Sequence, residues 1–450
     1  MEREEIRRCI LPVKIKEFIS YLISKGYKEV NYSKNNFLQT IYLDNNRYSL
    51  PFSTSIKLRR YLKFPQKKIN IEKNREYFLE QKNTFYKKGR LLKKKNRTKL
   101  KGIEILDKFK LLNIGEVIKM NSLQYPPQIS PIISNEFLNP HVATQYKRRN
   151  FLLGDILKIT IDSNLEFFAF NGSNTANKID EHKFVVVEVK LFDSSGKKAM
   201  EGALRKLREI YSLASVSKRC LCSNRLADHI QKKLSKEYRL FNEIPNYEFE
   251  LKFNIKNIYP GVLFWILRSI FENKNKEFIV CPEQPWTKEI GTIQRYSKNE
   301  KREIEKISYA KDIFTKAVKI ETKEEGNLMI RKENKDKPKK IISEKDIKEN
   351  FGNCLGEFHR IRKSFWVVNK NSGRVYKIAV DNSYTPFSIL SQVEIEYSGI
   401  RKGIILEKAE NAIKKDLKKV NDLLLSSPYT QKYLIPTKLT KLDWLLSLGK

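Results

Sequence analysis

The chain has 450 residues, with 89 Lys and Arg against 52 Asp and Glu, a formal net charge of +37. A surplus of that size calls for an anionic partner: nucleic acid, nucleotide, polyphosphate or an acidic membrane face. Hydrophobic residues at 40% allow a packed core, and the longest apolar run, near 262–267, is too short for a membrane-spanning helix. The length suits two domains. Five scattered Cys fit free thiols in a reducing compartment, and the charged stretch 1–8 has no apolar signal-peptide core. The expectation is a soluble, cytoplasmic protein.

In chain order, residues 4–10 read as a charged opening strand ended by Pro12, and 13–25 as a helix with Ile15, Phe18, Ile19 and Leu22 on one face. Residues 38–44 read as a strand. In the next strand, Lys57, Arg59 and Tyr61 are two residues apart and share a face, with Leu58 on the other. Strands normally turn charges outward. The repetition of this pattern on other strands predicts the reverse here, with charged faces lining a polar interior that holds a polyanion. Glu80 and Lys82 share a face in the strand that follows. Residues 81–101 hold ten Lys or Arg and no acid, and Gly89 predicts a hairpin with Lys93, Lys95 and Arg97 on one face. The Pro-rich stretch 120–140 reads as loop. Tyr146 and Arg148 share a strand face, as do Lys158, Thr160 and Asp162, and Val186, Glu188 and Lys190.

Helices are predicted over 198–214 and 222–238, with a domain boundary at 239–246, giving domains 1–240 and 246–450. The second half opens on 247–253, where Glu248, Glu250 and Lys252 alternate with Tyr247, Phe249, Leu251 and Phe253. Further strands are expected at 290–296, 328–332, 361–368, 375–381 and 392–397, a solvated loop over 333–350, and a helix at 406–425. Each half opens on an alternating acidic-basic strand. Each closes on a strand bearing Glu (Glu188; Glu394 and Glu396), followed by a long helix. An internal repeat of architecture follows.

Seven pieces in order, KLRRY at 57–61, FLEQK at 78–82, the basic strand around Lys95 and Arg97, TQYKRRNF at 144–151, ILKITID at 156–162, VVEVKL at 186–191 and SVSKR at 215–219, resemble the VTC domain. That domain is the polyphosphate polymerase module of the vacuolar transporter chaperone complex and belongs to the triphosphate tunnel metalloenzyme superfamily. The second half, with EFELK at 248–252 and VEIE at 393–396, resembles a CYTH domain. The resemblance implies an α+β fold of tandem antiparallel eight-stranded β-barrels with flanking helices. It assigns Lys57, Arg59, Lys82, Arg148 and Lys158 to gripping phosphates, and Tyr61, Lys95, Arg97, Tyr146, Lys190 and Lys218 to contacts with the phosphate chain or nucleotide. Glu188 becomes the ligand of a divalent metal, Mn2+ or Mg2+. In the second domain Lys252, Arg331 and Arg362 would meet substrate, and Glu248, Glu250, Glu394 and Glu396 the metal. Lys57 and Lys158 stand where the family usually has Arg, which keeps the charge and loses the planar fork. Met329 stands where the first of two alternating arginines is expected.

Phosphoryl transfer needs alignment and neutralisation of spreading negative charge. Inward-facing Lys and Arg of a barrel supply both, and a hard divalent ion suits glutamate and phosphate oxygens. The implied activity is polyphosphate synthesis from ATP. The alternatives are hydrolysis of tripolyphosphate, a nucleoside triphosphate or RNA 5′-triphosphate, and a non-catalytic scaffold for polyphosphate or nucleotide. Nucleic acid is a possible but not favoured partner, since the chain carries no recognised nucleic-acid motif. The scattered histidines receive no role.

Overall fold

A computed structural model describes residues 3–30, 36–44, 54–87, 90–101, 138–170, 175–214, 217–237, 239–273, 277–281, 287–298, 304–309, 313–335, 339–340, 354–385, 388–401 and 409–448. The chain forms two compact units that divide between Leu226 and Ala227. This lies inside a helix and upstream of the 239–246 segment chosen from sequence. The expected loops at 120–140 and 333–350 fall largely outside the described residues.

The first unit is built on eight strands: β1 (Arg3–Ile10), β2 (Phe37–Asp44), β3 (Thr54–Leu62), β4 (Glu76–Lys87), β5 (Arg90–Lys101), β6 (Asn139–Leu153), β7 (Leu157–Phe170) and β8 (Val185–Leu191). Every neighbour pair is antiparallel, in the order β6-β2-β3-β4-β5-β1-β8-β7. β7 pairs again with β6, which closes the sheet into a barrel. Gly154, at φ +52, sits in the short turn between β6 and β7 and so fixes which of their residues face each other.

Period-2 alternation sorts the two faces. Leu58, Val187 and Val189 are buried on the outer face, in apolar clusters. Two helices cover part of that face, α1 (Ile15–Ser24) through Phe18, Ile19 and Leu22, and α2 (Lys197–Glu209) through Met200, Ala203 and Leu207. α2 is shorter than expected. Leu213–Ala214 pairs with β1 as a strand, and Tyr211 at φ +59 makes the break. The polar residues between these apolar positions are left to face the interior.

A third helix, α3 (Lys218–Glu237), begins four residues earlier than the sequence suggested. The shift places Lys218 at the helix start. Cys220, Leu221 and Cys222 are buried beneath its first turn, and Arg219 pairs with Asp44 at 2.8 Å.

The second unit repeats the plan with β9 (Tyr247–Ile255), β10 (Thr287–Lys298), β11 (Ile304–Tyr309), β12 (Ile313–Glu325), β13 (Leu328–Lys335), β14 (Cys354–Asn369), β15 (Arg374–Tyr384) and β16 (Ile389–Arg401). Their order is β14-β10-β11-β12-β13-β9-β16-β15, closed by β15 on β14. This is the first unit's order strand for strand. β11 and β12 were not anticipated. Helix α4 (Pro260–Asn273) holds the apolar run at 262–267, and its Phe264 and Phe271 rings lie 5.5 and 6.1 Å from that of Phe365. Helix α5 (Ala409–Ser426) buries Ile413, Leu417, Val420 and Leu424, and a helix of about two turns, α6 (Lys441–Ser447), follows. Among the described residues no helix is long and apolar enough to cross a membrane.

Candidate active site

The inner face of the first barrel encloses a cavity of about 1060 Å³. That is at the top of the roughly 300–1,000 Å³ range of small-ligand sites. Lys57, Arg59, Tyr61, Lys82, Arg97, Tyr146, Arg148, Lys158, Glu188, Lys190 and Lys218 all line it. These residues come from six of the eight strands and from α3. The side chain of Lys95 lies outside the described residues; its backbone pairs with Lys82.

Neighbouring strands set the geometry by register. Arg148 faces Asp162 across β6 and β7, and the two form a fork with Nε–Oδ1 at 2.6 Å and Nη2–Oδ2 at 2.7 Å. Lys218 enters from the start of α3, with Nζ 2.5 Å from Asp162 Oδ2 and 2.9 Å from Glu188 Oε1. Glu188 also takes Arg7 at 3.2 Å and Lys190 at 2.7 Å, with Arg148 at 3.8 Å. On the opposite wall Glu80, fully buried, faces Lys57 at 3.6 Å, Arg59 at 3.2 Å and Arg97 at 3.3 Å. Arg97 stacks over Phe78 at 3.6 Å, and Glu5 takes Lys82 at 3.2 Å. Tyr146 supplies an aromatic face beneath Arg148 at 5.3 Å and Lys218 at 4.9 Å.

Burial pushes the Glu188 carboxyl up, but Lys190, Lys218, Arg7 and Arg148 together outweigh it and hold the group well below the usual carboxylate range. Burial likewise pushes Asp162 up, and Arg148 and Lys218 bring it below its ordinary value. Lys218 is raised: burial lowers it, and Asp162 and Glu188 more than compensate. All three are therefore charged at neutral pH. Cations outnumber acids around the cavity, Glu5, Glu80, Asp162 and Glu188 each serve two or more of them, and the buried Arg59 Nε has no hydrogen-bond partner among the described residues. This is a surface built for an anion with several charged oxygens.

Sequence reasoning left Glu5, Arg7, Glu80 and Asp162 without a chemical role. Asp162 and Glu80 were each placed on the correct strand face. Nothing in a single sequence says which strand lies opposite, and the partner decides the role.

The second barrel matches the first row by row. Arg362 forks onto Asp381 at 2.6 and 2.5 Å, as Arg148 does onto Asp162. Glu394 stands where Glu188 does, opposite Lys252 as Glu188 is opposite Arg7. Lys377 stands for Lys158, and Glu250 for Glu5. Glu396 stands for Lys190, which reverses the charge. It faces Glu250 directly across β9 and β16. Burial raises the Glu250 carboxyl, and Glu394 and Glu248 add to the rise against Lys252 and Arg331. Arg331 lies 3.6 Å from Glu248 and 3.3 Å from Glu250, with Lys252 at 3.2 Å. Lys441, from α6, bonds both Asp381 (3.0 Å) and Glu394, as Lys218 does Asp162 and Glu188. The five second-barrel acids and bases expected from sequence on β9 and β16 thus sit together, joined by Arg331 and Arg362.

A VTC domain model matches residues 10–226. The matched residues fall within the first unit. No curated protein matches the sequence. Among solved structures, a Hippeastrum protein described as having a dominant triphosphatase activity is similar at 11% identity, covering 50% of this chain and 96% of its own, with a TM-score of 0.31. A Bacillus halodurans protein named for adenylate cyclase is similar at 12% identity over 48% and 96%, TM-score 0.29. An RNA triphosphatase from S. pombe is similar at 10% identity over 49% and 90%, TM-score 0.22. At scores this low the fold is read from strand order. In the first unit, that order places six of the seven sequence pieces named above on the barrel wall, and Lys218 and Arg219 of the seventh at the start of α3.

Glu188 is a hard oxygen donor and suits a divalent ion. Among the described residues no three His, Cys, Asp or Glu side chains gather closely enough to hold a metal by themselves. With Arg7, Lys190 and Lys218 around Glu188, a bare ion would meet like charge. The residues fit a metal that arrives with phosphate, sharing its oxygens.

Proposed function

We propose that the first barrel binds ATP or a phosphate chain and transfers a terminal phosphate in a metal-dependent reaction, most simply polyphosphate synthesis. The observation that supports this reading is that Lys57, Arg59, Lys82, Arg148, Lys158, Lys190 and Lys218 line one cavity together with Glu188. Lys57, Arg59 and Lys82 would hold one part of the chain against the Glu80 wall. Arg148, Lys158 and Lys190 would hold the other. Tyr146 and the stacked Arg97–Phe78 pair offer flat surfaces at which a base or ribose can rest. Lys218 and Asp162 keep Arg148 aimed inward. Glu188 would hold the divalent ion, which when bound neutralises developing charge on the phosphates. The acceptor, a phosphate chain or water, distinguishes a polymerase from a triphosphatase.

The test is incubation of the full chain with ATP and Mn2+ or Mg2+, beside Arg148→Ala and Glu188→Ala, with products resolved on a gel and by phosphate release. A ladder lost in both variants supports the polymerase. Free phosphate without a ladder, lost in both, makes the enzyme a hydrolase. Turnover unchanged by either substitution overturns the site.

A further inference from the structure

The second barrel has the quartet of the first, Arg362, Asp381, Glu394 and Lys441, but the lysine comes from a different kind of support. Lys218 opens a 20-residue helix fixed by Arg219 on Asp44 and Arg225 on Asp180 at 3.1 Å. Lys441 opens a helix of seven residues. That helix is seated through Trp444 and Leu445, which pack on Tyr296, Phe358 and Leu390. Its Leu446 and Leu448 are exposed at 45% and 41%. A capping box between Thr440 and Asp443 starts the helix, and Trp444 Nε1 donates to Ser388 Oγ at 3.3 Å. The seat is close: a Cβ at Gly356 would lie 3.1 Å from Leu445. The segment before it crosses the same part of the barrel, with the Thr437 amide donating to the Lys252 carbonyl and Gln392 Nε2 to the Leu439 carbonyl. The lysine itself is 5% exposed.

We propose that Lys441 is a tethered counter-cation that latches α6 onto the second barrel, and that an oligophosphate entering with a divalent cation releases the helix. This rests on reading the barrels as oligophosphate sites. The competition is ionic at both ends. An oligophosphate draws Arg362 and Lys252 away from the carboxylates, and a divalent cation takes the place of an ammonium on Asp381 and Glu394. What then remains of the hold on α6 is the Trp444 and Leu445 seat, the Trp444–Ser388 hydrogen bond, the backbone bonds of the segment before it and the turn of the capping box. The arrangement differs from a core helix in this respect, since a core helix keeps its seat whatever the barrel contains. Charge reversal at Glu396 points the same way: without a lysine there, the second barrel's resting balance depends on the lysine that α6 brings.

The test is hydrogen exchange by mass spectrometry on the full chain, with and without tripolyphosphate and Mg2+. Amides of 441–448 are expected to exchange at least about tenfold faster with ligand, while 144–162 in the first barrel become protected. Lys441→Gln and Leu445→Ala should show the faster exchange without ligand, and Lys441→Arg should not. Amides of β15 report whether each variant still folds. Protection at 144–162 with no acceleration at 441–448 overturns the latch and leaves the phosphate reading standing. Slower exchange at 441–448 also overturns it. No protection in either barrel removes both.

Discussion

Asp162 and Lys218 meet at 2.5 Å inside the first barrel, one from the middle of β7 and the other from the start of α3. The contact joins a helix to a hairpin, because Asp162 also holds Arg148 in a two-bond fork. One carboxylate therefore aims two cations at the cavity from two directions. Replacing it with alanine leaves both buried beside Glu188 alone. The expected cost is about 3–5 kcal/mol, the range for breaking a buried ion pair, or roughly 6–20 °C in Tm for a unit of this size. Tripolyphosphate should restore part of the loss by acting as counter-ion. Thermal denaturation of Asp162→Ala with and without tripolyphosphate checks both statements, and a variant as stable as the parent would show that the cluster carries no strain of charge.

Glu188 separates binding from chemistry. It faces Arg7, Lys190 and Lys218, so in the absence of metal it competes with phosphate for them. Glu188→Gln should bind tripolyphosphate more tightly in metal-free buffer, by about tenfold for one charge removed at close range in a partly screened site. Turnover with ATP and Mn2+ should fall to background. Isothermal titration and a product assay on one preparation read the two effects; weaker binding in the variant would place Glu188 among the groups that support the anion.

The pH dependence differs in sign between the barrels. Glu188 and Asp162 are depressed in the folded state. The stability they contribute is complete above the unfolded value near about 4 and is lost as pH falls through the folded one. Glu250 is raised. Its contribution is complete below the unfolded value and is lost as pH rises through the folded one. Glu250→Gln, which mimics the protonated form, should therefore match the parent near pH 4 and become the more stable of the two as pH rises toward 7. Glu188→Gln should be less stable than the parent at pH 7 and converge on it in acid. Melting curves of both variants from pH 3.5 to 8 test the two signs together.

How much of this was legible in the chain follows from period and partner. Lys57, Lys158 and Lys190 stand out because each lies between apolar neighbours on its own strand, a period-2 signal contained in five or six residues. The closing order of the barrel and the charge of its interior follow from several such strands. Asp162 was visible as a face and invisible as a hinge between Arg148 and Lys218, since that requires cross-strand register. Lys441 gave little signal, one lysine among many near the end of the sequence. Only the Thr440-x-x-Asp443 pattern marks the helix start that aims it. β11 and β12 escaped because IEKISY and IFTKAVKIETKEE mix charge and apolar residues on both faces, so neither face reads as the inside.

The one reversed position in the repeat can itself be reversed. Lys190 faces Glu5 across β8 and β1, whereas Glu396 faces Glu250 across β16 and β9. Like charges directly opposite on neighbouring strands are destabilising, and burial already raises the Glu250 carboxyl, with Glu394 and Glu248 adding to the rise. Glu396→Lys would give the second barrel the first barrel's row: lysine from β15, lysine from β16, glutamate from β9. Like-charge repulsion disappears, Glu250 gains an ion-pair partner, and the interior becomes more positive by two charges. The expected result is a variant at least as stable as the parent whose second barrel takes up tripolyphosphate at least about tenfold more tightly. Titration calorimetry would show this as a tighter second binding step, and that step should vanish in the double variant with Arg362→Ala. A second step no tighter than the parent's, in a variant that still folds, would mean that the charge at position 396 does not set the second barrel's affinity for phosphate.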